Sequence, residues 1–520
     1  MSSGAQAGRR PAPAGLILAF VAACAILRGL AMIATGFKGD EAYTLVISRM
    51  LALSYFDHPP LHQWLVHGFV AQFGESRWVR APFWAIVLAT NIPMFGLTRC
   101  LFGRNAAYWA LFAFNAATYI LVLPDGFIVP DIPLQLFALS AAWAMAEIVF
   151  ARDDGAGRTM ALWLAVGVAL GLAGLSKYAA AFVPVGFLGF LLGSPRHRRW
   201  LLDPRAYVAA LVALAIFSPA IVWNHQNGWL SFAFQTSRAA PQRFSFDGTA
   251  LERLLRDLGT QIAMLSPWVG APIALALARA VRNPQADGAE RFLLWLIAPP
   301  LALFVLMPLF GHGVLPHWFA SAWLFAFPLA GEWLSEKSAN WLRIWGRWTA
   351  ALTAATAIAV MLAMNLGISW LMALLPPGAR DPVEFAYDWP DLSHTSAWAE
   401  LGAPPPAFVV ADNWRYAGKL GQALGPNIPV CALSFDPREF AFTCDTAKWI
   451  GKDAAIVVLK RDADVRLKAL APYFRQIDQG HEFTVGRVGR AEQTFVAARG
   501  RALTRPYAFP YGPYRDRASN

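Results

Sequence analysis

Charge is scarce in this chain. Only 15% of its 520 residues are Asp, Glu, Lys or Arg, against 57% hydrophobic residues and a mean hydropathy of +0.41, a balance that excludes an ordinary soluble domain. Cysteine is scarcer still, at four residues. Cys24 and Cys100 fall in or beside apolar runs. Only Cys431 and Cys444 share a polar segment, where they can pair if it faces an oxidising compartment. Neither a Walker loop nor a G-x-G-x-x-G unit is present, so the chain lacks the usual cradle for a nucleotide. No internal repeat or heptad run is evident, which removes the repeated halves common among transporters. The net charge of +11 does not point to nucleic acid, because Lys and Arg lie in short clusters between apolar runs, the pattern of membrane topology.

What the chain does have is long apolar runs. A bilayer core takes about 20 apolar residues per helix. Runs at roughly 15–35, 80–98, 106–124, 132–150, 160–176, 179–193, 206–223, 258–280, 292–310, 315–333 and 348–374 qualify as spans. The first follows Arg9 and Arg10 as a signal sequence would, but it is long, contains Arg28 and has no clear small-residue cleavage site, so it reads as a retained span. With the N-terminus in the cytoplasm, the cytoplasmic turns collect Arg99, Arg104, Arg152, Arg158, Arg196, Arg198, Arg199 and Arg205, while the opposite loops keep Asp40, Glu41, Asp57, Asp125 and Asp131. The positive-inside rule selects that orientation turn after turn. An odd number of spans then predicts that everything after about residue 376 lies outside. There, Pro-rich stretches give way to short β-rich runs such as AFVVA and AAIVVLK, with a helical stretch from Trp414 to Leu424 between them. The pattern predicts a membrane domain over 1–375 with interfacial loop helices at about 38–80, then an α/β domain over 376–520 ending in a disordered tail.

The residues that could carry chemistry sit at the predicted outer ends of spans. Asp40 and Glu41 follow the first span, where acids are costly unless solvated or paired. In the run Asp57-His58-Pro59-Pro60, Asp57 reads as a helix N-cap and the prolines as helix openers, which leaves His58 unexplained. Asp131 opens the fourth span, as a cap or as a functional acid. Lys177 lies in a short turn between two spans, as a functional cation or as one snorkelling to the headgroups. Arg28, inside the first span, needs a partner or a lipid phosphate. The loop from Asn224 onward adds aromatic residues, Arg238, Arg243, Arg253 and Arg256. His312 and His317, without clustered Cys or a nearby acid, are a weak metal signal, so no metal ligand or other cofactor is assigned and a divalent cation is left open. Acids and cations from several loops thus converge on one membrane face. A phosphate-linked sugar demands that set, with cations to hold the departing phosphate and a carboxylate to deprotonate the attacking hydroxyl.

In order over about residues 15–335, GDEAY, DHPPL, VPDIPL, GLSKY, SPAIVWNHQNGWLSFAFQ and LPHW resemble the motifs of bacterial GT-C glycosyltransferases of the protein-mannosyltransferase type. That superfamily includes lipid A aminoarabinose transferases and rhizobial galacturonosyltransferases. The C-terminal part, with VVADNWRYAGKLGQAL and SFDPREF, is similar to the tail of some members. The resemblance implies an α-helical polytopic membrane protein of GT-C type, with about 11 transmembrane helices and a small C-terminal α/β extracytoplasmic domain. It further implies an inverting transferase of the inner membrane that moves a sugar from a polyprenyl-phosphate donor to a glycolipid or lipopolysaccharide acceptor on the periplasmic face. Membrane lipids are then its surroundings, and nucleic acid is no partner. Residue by residue, it implies Asp40 as base or acceptor-orienting acid with Glu41 beside it, Asp131 as a second acid, and His58 and Lys177, with Arg28, at the donor phosphate. Asn224, Arg238 and His317 are the substrate-loop candidates. The competing class is a transporter or flippase of lipid-linked sugars.

Overall fold

The structure is a computed structural model that describes residues 11–117, 127–150, 156–239, 248–310 apart from 284 and 286, 313–366, 389, and 396–511 apart from 403, 488 and 489. Asp125, Arg152, Arg243 and His312 lie outside the described residues. The membrane part opens with α1 (Ala14–Ala34), a short α2 (Gly39–Ile47), α3 (Leu61–Phe73), α4 (Ala81–Phe102) and α5 (Arg104–Ala116). It continues through α6 (Asp131–Phe150), α7 (Ala156–Ser176), α8 (Phe182–Gly193), α9 (Pro204–Gln226) and α10 (Leu230–Ala239). It closes with α11 (Gly248–Leu265), α12 (Pro267–Arg282), α13 (Ala289–Leu306), α14 (Ala326–Ser335) and α15 (Ala339–Leu366).

Among the described residues, seven helices are long and apolar enough to cross a membrane, or eight if the bent pair α11 and α12 counts as one span. Of the remaining expected spans, 106–124 lies partly outside the described residues, and the other three are short or broken. The 258–280 run bends by 110° where Ser266 adopts a φ of 68°. Pro267 follows it, and a proline both lacks an N–H and bars the residue before it from helical backbone. The 315–333 run is divided into short helical turns and α14, and 179–193 begins as a 3-10 turn before α8. Neighbouring helices cover these shorter pieces, so they need not be complete apolar spans. Helix α14 is buried almost all round, and at its Gly331 a Cβ would stand 2.4 Å from the Ala106 carbonyl. Glycine there lets α14 and α5 meet backbone to backbone, a device of membrane helix packing. Within α6, 72% of the apolar window is buried, against 17% in α9. Helix α6 is therefore central, and α9 turns its apolar face outward.

After the bundle comes a sheet. Strands β1 (Phe408–Ala411), β2 (Val430–Ala432), β3 (Ala454–Leu459), β4 (Phe474–Ile477), β5 (His481–Arg487) and β6 (Arg490–Leu503) are joined by α16 (Trp414–Leu424) and α17 (Ala463–Leu470). The order is β2-β1-β3-β6-β4, with β5 also pairing with β6. β1 runs parallel to β2 and β3, and β6 runs antiparallel to β3, β4 and β5. β1 and β3 are buried throughout, the continuous apolar signature of strands covered on both faces. Asn413 caps α16 by accepting from Tyr416 N at 3.0 Å, as its side chain favours.

The sheet unit is docked onto α2. Gly418 of α16 lies so close that a Cβ would stand 2.6 Å from the Tyr43 backbone. Lys419 donates to the Phe37 carbonyl. Arg49 grips Glu75 at 2.6 and 2.9 Å and the Gly421 carbonyl at 2.8 Å. Cys431 and Cys444 form a disulfide, with Cα atoms 5.4 Å apart. The expectation of a disordered tail is corrected for residues up to 511. Tyr511 stacks on Phe56 at 4.2 Å, and Phe509 packs against Phe442, because the aromatic rings of this segment find apolar partners in the first loop and in the disulfide-closed loop.

Candidate active site

A cavity of about 300 Å³ opens where the ends of α6, α7 and α13 meet α2, α3, α10 and the edge of the sheet unit. Its volume is at the lower end of the range of small-molecule sites. Six of the nine candidates line it: Asp40, His58, Asp131, Lys177, Arg238 and His317.

Lys177 and Asp131 form the first element of the site. Lys177 ends α7 in an extended conformation, with φ of −157°, so its side chain turns across to the first turn of α6. There Nζ lies 2.8 Å from each carboxylate oxygen of Asp131. Asp131 is the first residue of α6, where the exposed N–H dipoles also favour a negative charge. Asp131 therefore holds a charged ammonium in the cavity, and Lys177 is not snorkelling away from it.

Asp57 forms the second element and departs from the expected N-cap. Helix α3 begins after Pro60 without a side-chain cap. Asp57 instead accepts from Tyr43 Oη at 3.1 Å and from Arg438 Nη1 at 3.0 Å. Its carbonyl accepts from Gln235 Nε2 at 2.7 Å, which ties the loop to α10. The cap reading failed because an acid before two prolines is equally suited to a long-range partner, and the partner comes from the sheet unit.

Asp40 is the most open of the three cavity carboxylates. Its side chain is 38% exposed, against 11% for Asp131 and 2% for Asp57. Arg415 Nε lies 3.9 Å from its Oδ2. His58 is half-buried, and its Nδ1 is buried without a hydrogen-bond partner. Burial, followed by the positive charges of Lys177, Arg438 and Arg238, pushes the His58 imidazole well below its usual value, so it is neutral at physiological pH. Arg238 lies over the Trp318 ring at 4.7 Å and the Phe234 ring at 5.5 Å, and it has no carboxylate in ion-pair contact among the described residues.

Three candidates are placed elsewhere. Glu41 is buried completely, with Oε1 and Oε2 held by Arg80 at 2.9 and 2.7 Å and further contacts from the Lys38 and Phe127 N–H groups. Burial alone would raise its pKa, but Arg80 and those two donors outweigh burial and hold the carboxyl below its ordinary value. The helical period explains the split, since adjacent residues on α2 point about 100° apart. Arg28 is buried in the bundle and donates to Asn115 Oδ1 at 3.2 Å, and Asn115 donates to Asn91 at 2.7 Å. Protein amides thus supply the partner it needed. Asn224 is buried against Tyr178 Oη at 3.3 Å and the Ala220 carbonyl at 2.9 Å, where it braces the end of α9 behind the cavity wall. Sequence reasoning missed Tyr43, Trp318, Trp414, Arg415 and Arg438, all of which line the cavity. For Arg438 the only signal was the SFDPREF motif itself. Among the described residues, no group of three or more His, Cys, Asp or Glu side chains is gathered as for a metal.

With this geometry in hand, the chain can be compared with known proteins. The family described as dolichyl-phosphate-mannose-protein mannosyltransferase matches residues 57–223. The lipid A galacturonosyltransferase RgtD of Rhizobium johnstonii is 28% identical over 52% of this chain and 55% of its own length. The lipopolysaccharide core galacturonosyltransferase RgtB of the same organism is 27% identical over 60% of this chain and 64% of its own length. The matched part thus spans between about half and two thirds of these curated relatives. Among solved structures, ArnT from Cupriavidus metallidurans bound to undecaprenyl phosphate superposes with a TM-score of 0.64 at 18% identity, covering 94% of this chain and 98% of that one. That likeness establishes the fold, with the bundle and the C-terminal sheet both included.

Proposed function

We propose, from the membership of this chain in the GT-C glycosyltransferase superfamily, that it transfers a sugar from a polyprenyl-phosphate donor to a lipid A or lipopolysaccharide acceptor at the cavity. The observation that carries this reading is an incomplete charge set. Among the described residues, Arg238 has no carboxylate in ion-pair contact and the buried Nδ1 of neutral His58 has no hydrogen-bond partner, although both residues face a cavity that Lys177 also reaches. A bound phosphate supplies what these groups lack, since buried cations and buried polar atoms are costly until paired.

The chemistry is then a single displacement. The acceptor oxygen attacks the anomeric carbon as the bond to the phosphate oxygen breaks, with inversion at that carbon. Polyprenyl phosphate leaves into the field of Lys177 and Arg238, with neutral His58 as a hydrogen-bond donor, and these groups stabilise the charge developing on it. Asp40, the most open carboxylate, takes the proton of an attacking hydroxyl, or orients the acceptor if that acceptor is an already ionised phosphate. Asp131 holds the Lys177 side chain in place. The names of the curated relatives point to a uronic acid as the transferred sugar and to lipid A or lipopolysaccharide core as the acceptor. The basic residues clustered in the turns expected to be cytoplasmic support a cavity on the periplasmic side of an inner membrane. Incubating the purified protein in lipid nanodiscs with a labelled polyprenyl-phosphate sugar and lipid A tests the reading. Label on the acceptor is the expected result. Unchanged donor, or donor that crosses vesicle leaflets without reaction, would replace the enzyme with a transporter.

A further inference from the structure

Arg438 reaches the cavity from the sheet unit, 381 residues along the chain from its partner Asp57. Its placement is unusually well determined. Arg438 adopts a φ of 52°, a left-handed backbone that is uncommon for a residue other than glycine. Such outliers persist only when the surroundings impose them. The loop that carries it is closed behind by the Cys431–Cys444 disulfide. From the other side, Tyr511 Oη accepts from Arg438 N at 2.8 Å and donates to Asp436 Oδ1 at 2.8 Å, while its ring stacks on Phe56. Glu439 extends the join by accepting from Phe56 N at 2.6 Å.

The guanidinium is held but incompletely used. It lies over the Trp414 ring at 4.2 Å, Nη1 reaches Asp57, and the buried Nε makes no hydrogen bond among the described residues, its nearest carboxylate in ion-pair contact being Asp436 Oδ2 at 3.6 Å. Arg238 and Arg438 both stand 5.5 Å from the centre of the same Phe234 ring. Two guanidinium groups drawn to one ring repel each other, and Asp57 and Asp436 make their ion-pair contacts with Arg438, leaving Arg238 without one among the described residues. An oxyanion would meet both repulsion and spare donors at once, and a guanidinium fork suits phosphate geometry.

We propose that Arg438 is a phosphate-binding residue contributed by the C-terminal α/β unit, and that the Cys431–Cys444 loop and Tyr511 form the clamp that keeps it in the cavity. This rests on the reading of the cavity as a polyprenyl-phosphate site. Both parts are tested by measuring binding of undecaprenyl phosphate and of uncharged undecaprenol to the full-length protein in nanodiscs. Arg438→Ala is expected to weaken binding of undecaprenyl phosphate by about 10- to 100-fold and to leave undecaprenol binding unchanged. Arg438→Lys, which keeps the charge but not the fork, recovers part of the loss. Tyr511→Phe and the double variant Cys431→Ser/Cys444→Ser produce smaller losses, of about 2- to 10-fold, in the same direction. Normal phosphate binding by Arg438→Ala, in an experiment where Lys177→Ala is impaired, overturns the proposal alone. So does an equal loss of both lipids, which would assign Arg438 a merely structural role. If the unaltered protein prefers neither lipid, the cavity reading itself fails and the role of Arg438 falls with it. If Arg438→Ala does not fold, the comparison of Arg438→Lys with Tyr511→Phe decides, and normal phosphate affinity in both counts against the proposal.

Discussion

The cavity has a bundle wall and a sheet wall, and each presents an ion pair. Lys177 and Asp131 stand at the ends of helices that pack along their length, so once the bundle forms their meeting follows from two short reaches. Arg438 and Asp57 meet because a glycine-bearing helix, a disulfide-closed loop and an aromatic tail dock a separate sheet onto the first loop. The bundle wall is therefore as rigid as the membrane helices. The sheet wall depends on an interface that a few side chains hold. What the pairs share is a cation that lines one cavity, which teaches that a site can be assembled from segments of very different origin.

The seam between the walls is Asp40, beside Arg415 of the sheet unit. If Asp40 is the base, Asp40→Asn keeps the shape of the site and loses proton transfer, with a fall of about 10² to 10⁴ in turnover. Binding of undecaprenyl phosphate should barely change. Near-normal transfer by this variant at saturating donor and acceptor would move the base to another carboxylate and weaken the contrast between an open Asp40 and two closed acids.

A next-largest effect is expected one residue along. Glu41→Gln leaves Arg80 buried in the bundle wall without a counter-charge. Breaking such a pair costs about 3–5 kcal/mol, so thermal inactivation should move to clearly lower temperature while the residual folded protein still binds phosphate. A variant with unaltered stability but lost transfer would instead return Glu41 to the chemistry.

The smallest effect concerns the sheet wall. Burial, with Asp57 adding to it, raises the Glu439 carboxyl well above its ordinary value of 4.5, against the opposing hydrogen bond from Phe56 N. Folded protein therefore binds this proton more tightly than unfolded protein does. The stability it provides is complete below the ordinary value and is lost as pH rises through the raised one. Glu439→Gln keeps an acceptor for Phe56 N and removes the titration. Between about pH 5 and about pH 8, melting of the variant should gain on the unaltered protein by a few degrees. A constant difference across that range would mean that Glu439 does not titrate at the join.

Much of the bundle wall was legible in the sequence. Asp131 and Lys177 are charged groups at the ends of apolar runs, where charge is expensive, and their sequence positions announce a purpose. Asp40 and His58 were readable on the same ground. Glu41 was not separable from Asp40, because adjacent charges look alike until the helix direction and the position of Arg80 are known. Arg28 and Asn224 lie off the cavity lining, paired with Asn115 and Tyr178, and nothing in a linear pattern pairs residues so far apart. The sheet wall was nearly illegible. Arg438 is one arginine among many in a polar segment, and its value comes only from the docking of α16 on α2.

The amino-acid order by itself determined which segments enter the membrane, their number of charges and the sequence of strands and helices after them, because hydropathy, helix period and strand period act locally. It also determined that acids and cations would gather at the ends of apolar runs. The tertiary structure alone decided which of those charges are buried in closed pairs and which face the cavity, because that choice depends on helix rotation and on contacts between residues as distant as Asp57 and Arg438. It decided as well that the second wall comes from the far end of the chain, where the close approach of Gly418 to Tyr43 leaves no room for any larger residue.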